Sequence, residues 1–557
     1  MSCSSAPELK LFKFKSTKAQ IMNKLVKIWL PLLLAVAFVF GMFVESNIIT
    51  RGNIQTVVKP RRGSKIDYLI GNISASYVDT VDVAELEEKA AISLLKDLDP
   101  HSTYISAEEF AEMNEPLEGN FDGIGVQFNI QKDTVYVVNV IAGGPSEKVG
   151  IRAGDRIVTV DDSLIAGIGI SNNDVMKKLR GPRRTKVRVG VARRGERDLV
   201  PFEITRGQIP LYSIDAAYMM NSETGYIKLS KFARTTYKEF QEAVAKLKAQ
   251  GMRNLIFDLR GNGGGYMDAA INVVDEFLPN GSLIVYTEGA HRERTEFHAS
   301  FRQSCKDLKL AVLIDEFSAS ASEITAGAIQ DNDRGIIVGR RSFGKGLVQE
   351  PIMFPDQSSV RLTIARYYTP SGRCIQKPYN QSDEDYFLDL ENRYERGEFM
   401  ERDSIKIADS TEYFTTGGRV VYGGGGIMPD VFIPADTSGA SEYYSKISRK
   451  GCEYQFCLEY TDRNRVELSK LKRADEFVKY LRNQNIFDQF VAYAEKQGIR
   501  RDAKGIRQSR KVIETQLMAL IARNVIDNDG FYPIIQDIDK TLMECLQIVE
   551  KKTLKTL

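Results

Sequence analysis

The feature that most constrains this chain is an alternation that runs from residue 207 to residue 435. NLIFDLR (254–260) and LAVLID (310–315) are unbroken apolar runs of strand length. GYIKLSKF (225–232) and GIIVG (335–339) also read as strands. Between them lie three helical patterns: YKEFQEAVAKLKAQG, which ends at Gly251, GYMDAAINVVDEFL and SASEITAGAIQD. Strands that alternate with helices in this way specify a layered α/β core. The remainder, through RLTIARYY, is β-rich.

The flanks read differently. Residues 119–206 hold four strand-like runs (GIGVQFNI, TVYVVNVI, DRIVTVDD, KVRVGVAR) and one helical stretch, NNDVMKKLRG. That is a small β-rich domain with about one helix. Residues 66–118 read as helical, and residues 436–557 as a charged, helical extension. A chain of 557 residues suits several domains. Its 43% hydrophobic content excludes global disorder, a collagen-like repeat and a multi-span membrane protein. With 76 Lys and Arg against 74 Asp and Glu, no net field draws nucleic acid.

Residues 28–44, IWLPLLLAVAFVFGMFV, carry no charge and follow six lysines with Glu8 as the sole acid. A basic arm (1–27) before such a run is the pattern of a signal or signal anchor. No A-x-A site follows, which favours an uncleaved anchor with residues 45–65 as a linker. The expected orientation puts the N-terminus in the cytoplasm and the later domains on the periplasmic, cell-envelope side. Six scattered Cys without a CxxC, and only three His, offer poor metal-site patterns.

Three stretches could carry chemistry. In Asp315–Ile324 (DEFSASASEI), a buried strand runs into a helix. A serine at such a junction lies at a helix N-terminus, where free N–H groups stabilise a developing oxyanion. Ser320-Ala-Ser-Glu323 also fits a capping box, so the serine could simply cap the helix. A nucleophilic serine needs a base, and His101, His291 and His298 are all distant in sequence. Lys345, flanked by Gly344 and Gly346, can serve if burial or a nearby cation lowers its pKa. The Walker spacing is absent, because Leu347 follows Gly346. The third stretch, Asp258–Gly265 (DLRGNGGG), is a glycine-rich strand-to-helix turn without the GxGxxG spacing. An amide of Gly264 or Gly265 facing Ser320 would complete an oxyanion hole.

SASASE followed by FGKGLVQ resembles the carboxyl-terminal processing peptidases, the tail-specific serine proteases. In that family a Lys follows the nucleophilic Ser by 25 positions and a Gln follows that Lys by four. The resemblance thus selects Ser320 as nucleophile, Lys345 as general base and Gln349 as the residue that orients it. It implies Ala321 with Gly264 or Gly265 as oxyanion donors. Asp258–Gly265 matches a second family motif, with Gly263 where members often have Pro. LDPHSTYIS, FDGIGVQF, RLTIARYYTPSGRCIQ and GGGIMPDV also look like family segments, so the likeness covers roughly residues 66–435.

The implied fold is a layered, crotonase-like α/β protease core (207–435) with a PDZ domain (119–206), a helical N-terminal region (66–118) and a helical C-terminal extension (436–557). Gly123, Ile124, Gly125 and Val126 would form the carboxylate-binding loop, and Val175, Met176 and Leu179 the opposite groove wall. The implied partners are proteins with exposed apolar C-termini. No metal or nucleotide cofactor is implied. A non-catalytic tail-binding adaptor and an acyl-transfer enzyme are the rival functions. For the extension, self-association, partner docking, a lid and a packed appendage all remain open.

Overall fold

A computed structural model describes residues 64–141, 143–379 and 383–551. The expected anchor at 28–44, with its basic arm, lies outside them. Among the described residues no helix is long and apolar enough to cross a membrane. Helices Lys65–Ser76 and Val83–Lys96 open the described chain. Residues 66–118 are not wholly helical: Thr103–Ile105 forms strand β1, followed by helix Ala107–Glu118 with a complete Ser106–Glu109 capping box.

The β-rich domain comprises β2 (Val126–Gln131), β3 (Thr134–Val140), β4 (Arg156–Val160), helix α1 (Asn172–Leu179), β5 (Lys186–Ala192) and β6 (Val200–Thr205). The strands pair antiparallel in that order. A reciprocal capping box between Ser171 and Asp174 starts α1. Inward residues such as Val135, Val137, Ile157, Val189 and Ile204 form a separate core.

The α/β core runs through β7 (Ile214–Met219), β8 (Thr224–Leu229), α2 (Thr236–Ala249), β9 (Asn254–Asp258), α3 (Met267–Asp275), β10 (Leu283–Gly289), β11 (Arg292–His298), β12 (Lys309–Ile314), α4 (Ala321–Asp331), β13 (Ile336–Gly339), β14 (Leu347–Met353), β15 (Ser359–Tyr368) and β16 (Val431–Phe432). One sheet has the order β7-β8-β9-β12-β13-β16, parallel from β8 onward. All of β9 is buried, which explains its unbroken apolar run. The second sheet is antiparallel, β1-β15-β10-β11, with β14 also on β15. Helix α4 is buried along its whole length. Its Ala and Gly residues permit that, since a Cβ on Gly327 would stand 2.7 Å from Thr369 Cγ2.

The extension is helical and includes α5 (Cys452–Arg463), α6 (Ala503–Ile526) and α7 (Lys540–Glu550). Its first part has its own apolar core, with Phe456, Phe477, Phe490 and Leu517 inside. The last helix does something else. Leu542, Cys545 and Val549 pack on Tyr226, Ile256, Ala311, Leu313 and Val338 of the parallel sheet. The opposite face of that sheet packs on α2, α3 and α4.

Candidate active site

Ser320 lies where β12 turns into α4. Its backbone has φ 55° and ψ −114°, a region that disfavours residues with a Cβ. Such a conformation costs about 1–3 kcal/mol and persists only where the surroundings over-determine it. They do so here. Ser320 N–H donates to Glu323 Oε2 (2.9 Å), and Ser320 O accepts from Glu323 N (2.8 Å), Ile324 N (2.9 Å) and the Tyr367 hydroxyl (3.2 Å). The hydroxyls of the neighbouring serines are bound to the frame. Ser318 Oγ donates to Leu259 O (2.9 Å), and Ser322 Oγ to Asn262 O (2.8 Å).

Lys345 stands in the loop between β13 and β14. That loop is fastened to the Ser320 turn by the buried carboxylate of Glu323. It accepts from Ser342 Oγ (2.6 Å), Gly344 N (2.7 Å), Lys345 N (2.9 Å) and Ser320 N (2.9 Å). The Tyr367 hydroxyl joins the same two segments, reaching Lys345 O as well as Ser320 O. Burial pushes the Glu323 carboxyl up to about 7, against the pull of those four donors. Glu323 is visible in the sequence only as a helix cap. Its further partners lie about twenty positions downstream, beyond any local pattern.

The amine of Lys345 donates to Gln349 Oε1 (3.0 Å) on β14. Gln349 cannot flip without loss, because its Nε2 donates to His101 O (2.6 Å). Behind it, Thr363 Oγ1 donates to Asp99 Oδ1 (3.0 Å), and Ser102 Oγ to Asp99 Oδ2 (2.5 Å). Burial, with help from Arg361, lowers the Lys345 pKa from 10.5 to about 8, while Glu323 and Asp99 oppose the shift. Of the three histidines, only His101 comes near. Its ring bonds the Tyr386 hydroxyl (2.7 Å), and burial, then Lys345, lowers it to about 4. Its carbonyl, not its imidazole, serves the site. His291 and His298 lie on the β10–β11 hairpin.

The glycine turn packs directly against Ser320. A Cβ on Gly264 would stand 2.8 Å from Ser320 Cβ and 3.0 Å from Ala321 N. Gly264 and Gly265 both have positive φ, 103° and 143°. Asn262 stitches the turn together. Its Nδ2 donates to Leu229 O (3.1 Å), its carbonyl accepts from Ala319 N (3.0 Å), and its Oδ1 accepts from Gly264 N (2.9 Å). Gly264 O accepts from Phe232 N (2.9 Å).

A second concavity, of about 550 Å³, lies between β2 and α1. Ile124, Gly125, Val126, Phe128, Met176 and Leu179 line it. Gly125 has φ 77°, which shapes the loop. Gly123 sits just ahead, paired with Gly207. Val175, expected on the groove wall, is instead fully buried in the domain's own core. It precedes Met176 by one helical position, about 100° of rotation, which turns it inward. Arg180, unmarked by sequence reasoning, lies at the rim with its guanidinium 4.4 Å from the Phe121 ring centre.

Comparison with known proteins places these features. Residues 223–386 match peptidase family S41 and residues 123–204 a PDZ domain. Residues 443–527 match a family of unknown function. The chain is 33% identical over 349 residues to a carboxy-terminal-processing protease of Bartonella bacilliformis, covering 61% of this chain and 79% of that one. It is 32% identical over 314 residues to a probable CtpA-like serine protease of Staphylococcus aureus, covering 56% and 62%. It is 28% identical over 350 residues to the carboxy-terminal processing protease CtpB of Bacillus subtilis, covering 60% and 72%. A strained serine tied to a loop lysine, a PDZ groove and these relatives together assign the chain to peptidase family S41, as a serine protease of the carboxy-terminal processing type.

Proposed function

We propose that this chain cleaves proteins recognised by their free, apolar C-terminal tails, using Ser320 and Lys345 as a catalytic dyad. The observation that carries the reading is the state of Lys345: a desolvated amine, aimed by a Gln349 whose amide is itself fixed, on a loop tied to the Ser320 turn. Neutral Lys345 removes the Ser320 proton as Oγ attacks the scissile carbonyl. The tetrahedral oxyanion then meets Ala321 N–H at the start of α4 and an amide of the glycine turn. Gly264 N–H is already engaged by Asn262 Oδ1, which favours Gly265. The Gly265 N–H runs antiparallel to the Gly264 carbonyl across a planar peptide and so points away from Phe232. Lys345 returns its proton to the leaving amine, and water releases the acyl group from Ser320.

The tail enters beside β2, with its carboxylate at the Ile124–Gly125–Val126 amides and its side chains toward Met176 and Leu179. The apolar run at 28–44 supports a membrane-anchored enzyme whose substrates are processed or degraded in the cell envelope.

The test is cleavage of a substrate protein bearing an apolar tail. Ser320→Ala and Lys345→Ala abolish turnover and leave tail binding intact. Lys345→Arg also fails, because a guanidinium does not deprotonate. Undiminished proteolysis by Ser320→Ala would refute the assignment, whereas binding without cleavage by the parent chain would make it an adaptor.

A further inference from the structure

The groove between β2 and α1 is not built by the PDZ domain alone. Its lining includes Tyr454, from helix α5 of the C-terminal extension, beside Phe128 and Asn129 of β2. The Asn129 side chain and the Tyr454 ring line the same stretch of the groove. The position of Tyr454 is set by an interface. Further along α5, Glu459 pairs with Lys132 (3.7 Å) and Asp462 with Arg156 (4.0 Å). Arg465, just beyond the helix, reaches the Tyr136 hydroxyl (3.4 Å). Gly154 lies so near that a Cβ there would stand 3.2 Å from Asp462 Oδ1 and from Arg465 Nε.

A tail that lies along β2 advances about 3.3 Å per residue. Asn129 lies four positions beyond Gly125 in the carboxylate loop. Tyr454 therefore stands beside the tail residue about four positions before the terminus, some 13 Å from the carboxylate. A tyrosine offers a large, stiff, amphipathic surface that loses little entropy on binding, and such residues dominate recognition energies. The terminal side chain meets Ile124, Met176 and Leu179, whereas the upstream residue meets a ring supplied by another domain.

We propose that Tyr454 is a specificity-determining residue: the helical extension lends the PDZ groove a second wall, which selects an apolar or aromatic side chain about four positions before the tail's carboxylate. This inference rests on the groove being the tail site.

The experiment uses the full-length chain carrying Ser320→Ala and measures peptide binding by fluorescence anisotropy. The probes are an octapeptide with a free apolar C-terminus and Phe at the upstream position, its Ser analogue, its amidated form, and the C-terminal tripeptide alone. The Phe peptide binds about tenfold more tightly than the Ser peptide. Tyr454→Ala removes that difference and leaves the tripeptide unchanged, while Tyr454→Phe keeps most of it. A preference that survives Tyr454→Ala, or no preference in the parent, overturns the proposal. Tighter octapeptide binding by Tyr454→Ala would make the ring a plug and overturns it too. An equal loss for tripeptide and octapeptide would make Tyr454 a mere support for the groove, and the proposal would again fall. If the amidated peptide binds as well as the free acid, the tail reading itself fails and takes this inference with it.

Discussion

Lys345 can act on Ser320 only while its amine is uncharged, and its surroundings decide at what pH that holds. With a pKa near 8, the neutral fraction grows about tenfold per pH unit below that point. kcat/KM should therefore rise about tenfold from pH 6 to 7 and level off above about pH 9. Arg361 helps to hold the amine down, so Arg361→Gln should move the rising limb to higher pH. A limb that stays in place would show that burial alone sets it. The same group has a stability signature. Between about 8 and 10.5 the unfolded chain holds more protons on this lysine than the folded one, so its contribution favours folding increasingly as pH climbs through that window. Glu323→Gln presents an NH2 to a site that offers mostly donors. It should destabilise by about 2–4 kcal/mol in denaturant titration and lower turnover, since both the serine turn and the lysine loop lose their shared acceptor. The spacing of Ser320, Lys345 and Gln349 was legible because those residues sit in two short motifs. Asp99, Thr363 and Tyr367 were not, because only the folded sheet brings them behind Gln349 and beneath the loop.

Local patterns identified those elements that bury an apolar face and missed those held by backbone pairing. EGAHRERTEFHAS carries no apolar alternation, yet Arg292–His298 is a strand whose residues are nearly all exposed. Its order comes from its register on β10, Tyr286 opposite Glu296 and Thr287 opposite Thr295, which leaves no hydrophobic alternation to detect. Strand β1 is three residues long and exists because Thr103–Ile105 meets Ser359–Arg361. The glycine turn was found by composition, but its reason is steric. A Cβ on Gly265 would collide with the Phe232 carbonyl oxygen, and its φ of 143° is strained for any other residue. Gly265→Ala should displace the turn, with turnover falling by at least about tenfold and stability by about 1–3 kcal/mol. The readout is kcat together with the urea midpoint. Parent-like turnover would show that the turn's amide plays no part in the oxyanion hole.

At the scale of the whole chain, the extension is two things, and only the structure separates them. Most of it closes around its own aromatic core, as an independent helical domain would. The last helix is instead a layer of the catalytic core. Residues Leu542, Cys545 and Val549 cover one face of the parallel sheet. Asp539, which caps that helix, takes Arg260 in a paired hydrogen bond (2.7 and 2.9 Å). Arg260 in turn grips buried Asp258 (2.6 Å), and burial notwithstanding, Arg260 and Lys228 hold that carboxyl well below its usual range. The chain of contacts runs from the far end of the sequence to the start of the glycine turn beside Ser320. A charged, amphipathic stretch at a C-terminus does not announce this, because three apolar residues at helical spacing fit many surfaces equally well. A chain ending at Ile538 should therefore expose the sheet face and leave Arg260 half-paired beside Asp258. Each buried aliphatic side chain contributes about 1.5–3 kcal/mol, and a whole domain keeps only about 5–15 kcal/mol in reserve. The truncated protein should melt at least about 10 °C lower, or fail to fold, and its core should be cut by added protease where the full chain is not. Melting and turnover unchanged from the full-length enzyme would show that the sheet needs no cover and that the glycine turn is held by the core alone.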